Sequence, residues 1–239
     1  MDVPLPLTFG WRHLLFANWS VDPDRLDSHL PDALSVDTHE GAGWLSVVPF
    51  VNVDTRPRRL PRRVGIDLPE LNLRTYVTHW GEPGVYFFSL DAQGVASVLG
   101  ARLFHRLPYY YARIEVEATD GEVHFASRRL HPGDRPVRFS ATYGPTGEPF
   151  IPEPGSRAAF LTERRRLYTQ GADGAVRYTD VDHGPWTLYP ATARLEENTL
   201  FEANGFARPD SEPVCYYSPG LEVTTTGSKR RERGRTEYP

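Results

Sequence analysis

The sequence predicts a mainly β fold, a single closed antiparallel barrel with a few peripheral helices. Three observations predict it. Short strand-like runs recur through most of the 239 residues. Turns rich in glycine and aspartate separate them, and apolar and polar side chains alternate within the central runs. No repeat, low-complexity linker or composition break divides the chain. One domain is therefore expected over residues 1–226, followed by a basic, flexible C-terminal tail at 227–239.

The elements follow in order. Asp22 caps a helix over 23–29, with Pro23 at its first position. Residues 34–38 and 44–53 read as a hairpin around the Glu-Gly-Ala-Gly turn at 40–43. Residues 71–80 and 85–91 flank a turn at 81–84, and 109–118 and 123–130 flank one at 119–122. Between them, Val95, Val98, Leu99, Leu103 and Phe104 are spaced for one apolar face of a helix near 95–105, packed outside the barrel. Ser156 caps a helix at 157–162 with Ala159 and Phe160 inward, and 167–169 and 176–181 flank a last turn at 171–174.

Composition excludes several function classes. Hydrophobic residues at 39% and aromatics at 12% suffice for a sizeable core. A net charge of −4 gives no reason to expect a polyanion. Two arginine-rich runs, 56–63 and 229–235, lack the interleaved aromatics of a nucleic-acid surface, so no nucleic-acid partner is expected. Cys215 is the only cysteine, which fits a reducing cytoplasm, and it reads as a small hydrophobe. The opening MDVPLPLTFG has an acid at position 2 and no long apolar run, so no signal peptide is expected, and no stretch approaches the length of a membrane span. The histidines show no metal-ligand spacing, and no phosphate- or dinucleotide-binding glycine pattern occurs, so neither metal nor cofactor is expected. His183 reads as a loop or packing residue. Lys229 is the only lysine, in a charged segment with nothing apolar to desolvate it.

The polar residues form rows, because alternate residues of a strand share a face. Glu70, Asn72, Arg74 and Tyr76 oppose Leu71, Leu73, Thr75 and Val77. Tyr109, Tyr111, Arg113 and Glu115 oppose Tyr110, Ala112, Ile114 and Val116. Arg164, Arg166 and Tyr168 make a third row, and Arg194 and Glu196 a fourth. Two readings are open for each. The row faces solvent, as on any half-buried sheet, or it lines the barrel around a polar ligand. Tyrosine and arginine in place of lysine and threonine favour the second.

Several strings resemble the YqjF-like family, domain of unknown function 2071: WRHLLFANW at 11–19, WLSVVPF at 44–50, PELNLRTY at 69–76 and GVYFFSLD at 84–91. FLTERRRLY at 160–168, HGPW at 183–186 and EENTL at 196–200 belong to the same resemblance. It covers about residues 10–205 and implies the acetoacetate decarboxylase-like fold, a cone-shaped closed barrel with a central cavity. In that superfamily a lysine at the start of a barrel strand forms a Schiff base with a keto acid. The comparable string here is Leu107-Pro-Tyr-Tyr110, which puts Tyr109 at the nucleophile's place, and a phenol forms no iminium.

The reading is a barrel cavity that binds a small polar, anionic or carbonyl-bearing molecule, such as an organic acid, without Schiff-base chemistry. Arg74 and Arg113 are the expected anion clamps, each held by a carboxylate partner, with Glu70, Glu115 and Glu196 the candidates, or by a small anion from buffer. Glu70 and Tyr109 are the candidate acid–base groups, and Asn72, Tyr76, Tyr111 and Glu196 the further ligand-binding groups. A non-catalytic binder using the same groups and an interaction protein using the basic tail are the alternatives. A homo-oligomer is compatible with the sequence.

Overall fold

The computed structural model describes residues 6–94, 109–131, 133, 135–171 and 174–230. Its strands are β1 (Leu7–Val21), β2 (Ser35–Val36), β3 (Gly43–Pro57), β4 (Ile66–His79), β5 (Glu82–Ala92), β6 (Tyr109–Thr119) and β7 (Glu122–Arg129). They continue with β8 (Arg138–Pro145), β9 (Arg166–Gln170), β10 (Val176–His183), β11 (Tyr189–Asn198), β12 (Val214–Thr225) and β13 (Lys229–Arg230). Among the described residues three short α-helices intervene, α1 (Pro23–Asp27), α2 (Arg157–Thr162) and α3 (Leu200–Ala203), with a 3-10 turn at Arg62–Val64. The helix expected near 95–105 lies outside the described residues.

The strands join into one sheet that closes on itself twice. A smaller ring runs β1–β3–β4–β5–β9–β10–β12 and back to β1. A larger one shares β12, β1, β3, β4 and β5, and completes itself through β6, β7, β8 and β11. The closed barrel expected from the hairpins is therefore present. Pairing is antiparallel except at β5, which meets β6 and β9 in parallel over Leu90–Ala92 and Val85–Tyr86.

The long strands β1, β3 and β4 belong to both rings, and long runs of each are buried on both faces. Leu15, Ala17 and Trp19 of β1, Leu45 and Val47 of β3, and Leu71 and Leu73 of β4 face the larger ring. There they pack against Ala112, Ile114, Phe125, Phe139 and Ala141. This is the main core. At roughly 1.5–3 kcal/mol per fully buried large apolar side chain, it is the dominant favourable term. Leu14, Phe16, Val48 and Phe50 face the other way, into the smaller ring, with Trp186 and Leu188.

Local chemistry explains the ends. Trp80-Gly81 and Asp120-Gly121 have φ of 52° and 80°, and of 52° and 85°. Paired left-handed residues make the tight turns whose twist suits the β4–β5 and β6–β7 hairpins. The Asp22 side chain accepts from Asp24 N–H at α1, and Ser156 from Ala159 N–H at α2. One expectation needs correction. Residues 34–38 do not pair with β3. Ser35 and Val36 pair with Thr78 and Val77 of β4 instead, because β3 is already hydrogen-bonded on both edges, to β1 and β4. In α2 the fully buried residues are Ala158, Leu161 and Thr162, while Ala159 is half-buried and Phe160, also half-buried, packs on the Tyr76 ring at 5.1 Å. The tail expected from Gly227 has its first residues paired to the sheet: Lys229 and Arg230 oppose Tyr178 and Arg177 of β10. Lys229 Nζ lies 3.4 Å from Asp180 Oδ2.

Where β5 and β7 approach at the fork of the two rings, Arg129 Nη2 lies 2.7 Å from Asp91 Oδ1, with side-chain exposures of 4% and 0%. The guanidinium also covers the Tyr110 ring at 3.9 Å. Arg129→Met should cost roughly 3–5 kcal/mol, the order of removing one partner of a buried ion pair. Urea unfolding measures it, and a loss below about 1 kcal/mol would show that the fork does not depend on this pair.

A candidate binding cavity inside the smaller ring

The smaller ring encloses a cavity of about 340 Å³. Three irregularities of the sheet decide which side chains reach it. In the β1–β3 pairing, Arg12↔Val51 is followed by Ala17↔Val47, so β1 carries one extra residue, and His13 takes a left-handed φ of 56°. In β3–β4, Asn52↔Leu68 is followed by Thr55↔Ile66, and Asp54 takes φ 54°. In β4–β5, Leu73↔Ser89 is followed by Arg74↔Phe87, leaving Phe88 over. Each is a β-bulge, and each shifts the inward alternation by one. The cavity therefore receives Phe9 and Trp11, then Leu14 and Phe16, from β1. It receives Phe50 and Asn52, then Thr55, from β3, and Val85 and Phe87, then Leu90 and Ala92, from β5.

Strand β4 reaches the cavity with Glu70, Asn72 and Arg74. Glu70 is 7% exposed, and its donors among the described residues are neutral. The Tyr109 hydroxyl donates to Glu70 Oε2 at 3.0 Å, and Asn52 Nδ2 at 3.2 Å. Burial pushes the Glu70 carboxyl up to about 7, against the opposing pull of hydrogen bonds from Tyr109, Asn52 and Asn72. The Tyr109 phenol is pushed well above its ordinary range by burial and by the neighbouring Glu70.

Arg74 has no carboxylate within ion-pairing distance among the described residues. Its Nη2 donates to Leu161 O at 3.1 Å, and its guanidinium carbon sits 5.4 Å from the Phe16 ring centre and 5.8 Å from that of Tyr76. Its Nε, like Asn72 Oδ1, is buried without a hydrogen-bond partner. Of the two partners expected for Arg74, a carboxylate or a bound anion, the carboxylate is not found among the described residues. Phe50 and Ala92 stand opposite Glu70, and the bulge sets Phe87 opposite Arg74, so each charge turns to its own neighbours. Arg164, also on the wall, is already engaged by Asp37 at 2.6 Å.

The other sequence candidates divide. Tyr109 joins the cavity group. Tyr76 is fully buried but consumed: its hydroxyl donates to Leu161 O at 2.8 Å, beside Ser46 Oγ at 2.7 Å. Tyr111 is half-buried on β6 and does not line the cavity. Arg113 and Glu196 are not brought there. Arg113 pairs with Glu115 at 3.0 Å, both side chains well exposed. Strand β6 pairs with β5 only through Tyr111 before diverging with β7, which carries Arg113 to the outer surface. Glu196 bonds Arg194 and Thr142 on the outside of the β8–β11 pair.

Sequence reasoning missed the aromatic wall and His183. Trp11 and Trp186 stack with ring centres 5.4 Å apart and planes 6° from parallel, and His183 lies 5.2 Å from Trp186. His183 Nδ1 is 2.6 Å from Gly184 O, and a donor there leaves Nε2 as a lone pair, which is buried and unpartnered. Burial keeps this ring below the usual histidine range. Asn52, the one amide in the apolar stretch of β3, was the signal available for the Glu70 site.

The Glu70 carboxyl, raised from 4.5 to about 7, holds its proton in the folded state after the unfolded chain has released it. Stability should therefore fall as pH rises from about 4.5 to about 7, by up to roughly 3 kcal/mol, and level off above. Glu70→Gln should flatten that part of the profile. Denaturant titrations at pH 5 and pH 8 test it, and a variant with the same pH dependence as the parent would refute it.

Comparison with known proteins places the chain. The model of DUF2071, described as an uncharacterized conserved protein, matches residues 8–222. The uncharacterized protein YqjF of Bacillus subtilis (strain 168) is 42% identical over 214 residues, covering 89% of this chain and 87% of the relative. Among solved structures, an acetoacetate decarboxylase-like enzyme from Sphingomonas wittichii RW1 is 17% identical with a TM-score of 0.64, covering 97% of this chain and 94% of the other. The enduracididine biosynthesis enzyme MppR, complexed with pyruvate, is 14% identical with a TM-score of 0.65, covering 96% and 91%. The acetoacetate decarboxylase of Legionella pneumophila is 16% identical with a TM-score of 0.61, covering 95% and 87%. The chain belongs to the DUF2071 family and has the acetoacetate decarboxylase-like fold.

Proposed function

We propose that the cavity of the smaller ring binds a small organic anion, a carboxylate held by Arg74, and that any reaction there proceeds without a lysine imine. One observation carries the reading: a guanidinium on the cavity wall without a carboxylate counter-charge among the described residues. A buried or half-buried ion is costly unless paired, and the planar donor set of arginine matches a carboxylate. Arg164 on the same wall, already paired with Asp37, shows how the chain treats an arginine it keeps for structure. Lys229, the only lysine, is paired with Asp180 and is not among the cavity residues.

Beside the anion position stands Glu70, poised near neutrality and joined to the Tyr109 hydroxyl. A carboxyl with that pKa can give or take a proton at neutral pH, so the pair suits general acid–base work on a bound acid or its carbonyl group. The pyruvate complex of the similarly folded MppR makes keto acids the first compounds to try.

Arg74→Gln keeps an amide donor for Leu161 O and removes the charge. It should weaken binding of small carboxylates ten- to a hundredfold with little change in unfolding midpoint, the order of one charge-assisted hydrogen bond. Isothermal titration with acetate, pyruvate and acetoacetate measures it. Equal affinity for parent and variant would remove Arg74 from the site.

A further inference from the structure

The shape and chemistry of the cavity say more about the ligand than its charge. The polar atoms of Glu70, Asn72, Arg74 and Tyr109 gather on β4 and the start of β6. From there the wall turns aromatic. Phe16, which lies against the Arg74 guanidinium at 5.4 Å, meets Trp186 edge-on at 5.3 Å. Trp186 stacks on Trp11, and Trp11 meets Phe50 edge-on at 6.1 Å. A ligand anchored at Arg74 thus has a continuous line of ring surfaces beside the rest of its body. At about 340 Å³ the space falls within the range for drug-sized ligands, roughly 300–1,000 Å³. A short keto acid would satisfy the guanidinium and leave the aromatic part unfilled.

We propose, on the basis of the anion reading above, that the ligand is an aryl-substituted carboxylic acid, its carboxylate at Arg74 and its ring among Phe16, Phe50, Trp11 and Trp186. Offset and edge-on ring contacts reward an aromatic body beyond the area it buries. Away from Arg74 the wall offers only scattered polar atoms, His183 Nε2 and Thr55 Oγ1 among them, so a compound polar throughout would leave most of its polar groups desolvated without a partner.

The test is a matched series on the full chain by isothermal titration, with tryptophan fluorescence as a second readout: propionate against 3-phenylpropionate, and pyruvate against phenylpyruvate. Each aryl acid should bind roughly a hundredfold more tightly than its short counterpart, as expected for burying one ring. Trp11→Leu should remove about tenfold from the aryl acids and leave pyruvate unchanged. If pyruvate binds as tightly as phenylpyruvate, the aryl proposal fails while the Arg74 reading survives. If none of the four acids binds, both fail. The parent series decides the matter even if Trp11→Leu does not fold.

Discussion

The structure depends on the burial of β1, β3 and β4 on both faces. A sheet with one wet face needs only one apolar side per strand. Here the second face closes a smaller ring, and every polar group on it must find a partner inside the protein or in a ligand. For the Tyr76 hydroxyl and its neighbours the protein supplies them: Ser46 Oγ donates to Asn18 Oδ1 at 2.6 Å, and Asn18 Nδ2 donates to Phe16 O and Val214 O at 2.9 Å each. Around Arg74 and Asn72 it does not. The same wall therefore passes from a satisfied structural network into an unsatisfied one within a few residues of β4.

The electrostatic arrangement follows from that transition. Glu70 and Arg74 share a face of one strand, yet neither neutralises the other. Glu70 is surrounded by an amide, a second amide and a phenol, all neutral donors, and Arg74 by a carbonyl and two rings. A carboxyl and a guanidinium kept apart in this way retain separate tasks, one exchanging a proton and the other holding charge. A direct ion pair would have fixed the Glu70 carboxyl in its charged form.

Much of the fold was legible because turn chemistry is local. Dipeptides such as Asp120-Gly121 announce hairpins wherever they occur, and the β4, β6 and β9–β10 pairings follow from them. The row at Glu70, Asn72 and Arg74 was legible too, since no bulge interrupts the β4 alternation there. Arg113 was not. Its row looks like that of β4, but whether a polar face meets a cavity or water depends on where β6 leaves β5, and that is set by distant strands. The aromatic wall was hidden for a related reason. Trp11 and Leu14 fall on the same side only because His13 is bulged, and apolar runs of this kind carry no mark of which residue is extra.

That bulge gives the inner wall something like a reading frame. With His13 in place, Trp11 and Phe16 look into the cavity while Leu15 and Ala17 look into the core. A chain one residue shorter at that position would exchange the two sets over half of β1, sending rings into a close-packed layer and leaving small side chains on the cavity wall. Length changes in the central strands are thus confined to compensated pairs. Variation among relatives should appear as substitution along β1, β3 and β4, and as insertion only in the turns that join them.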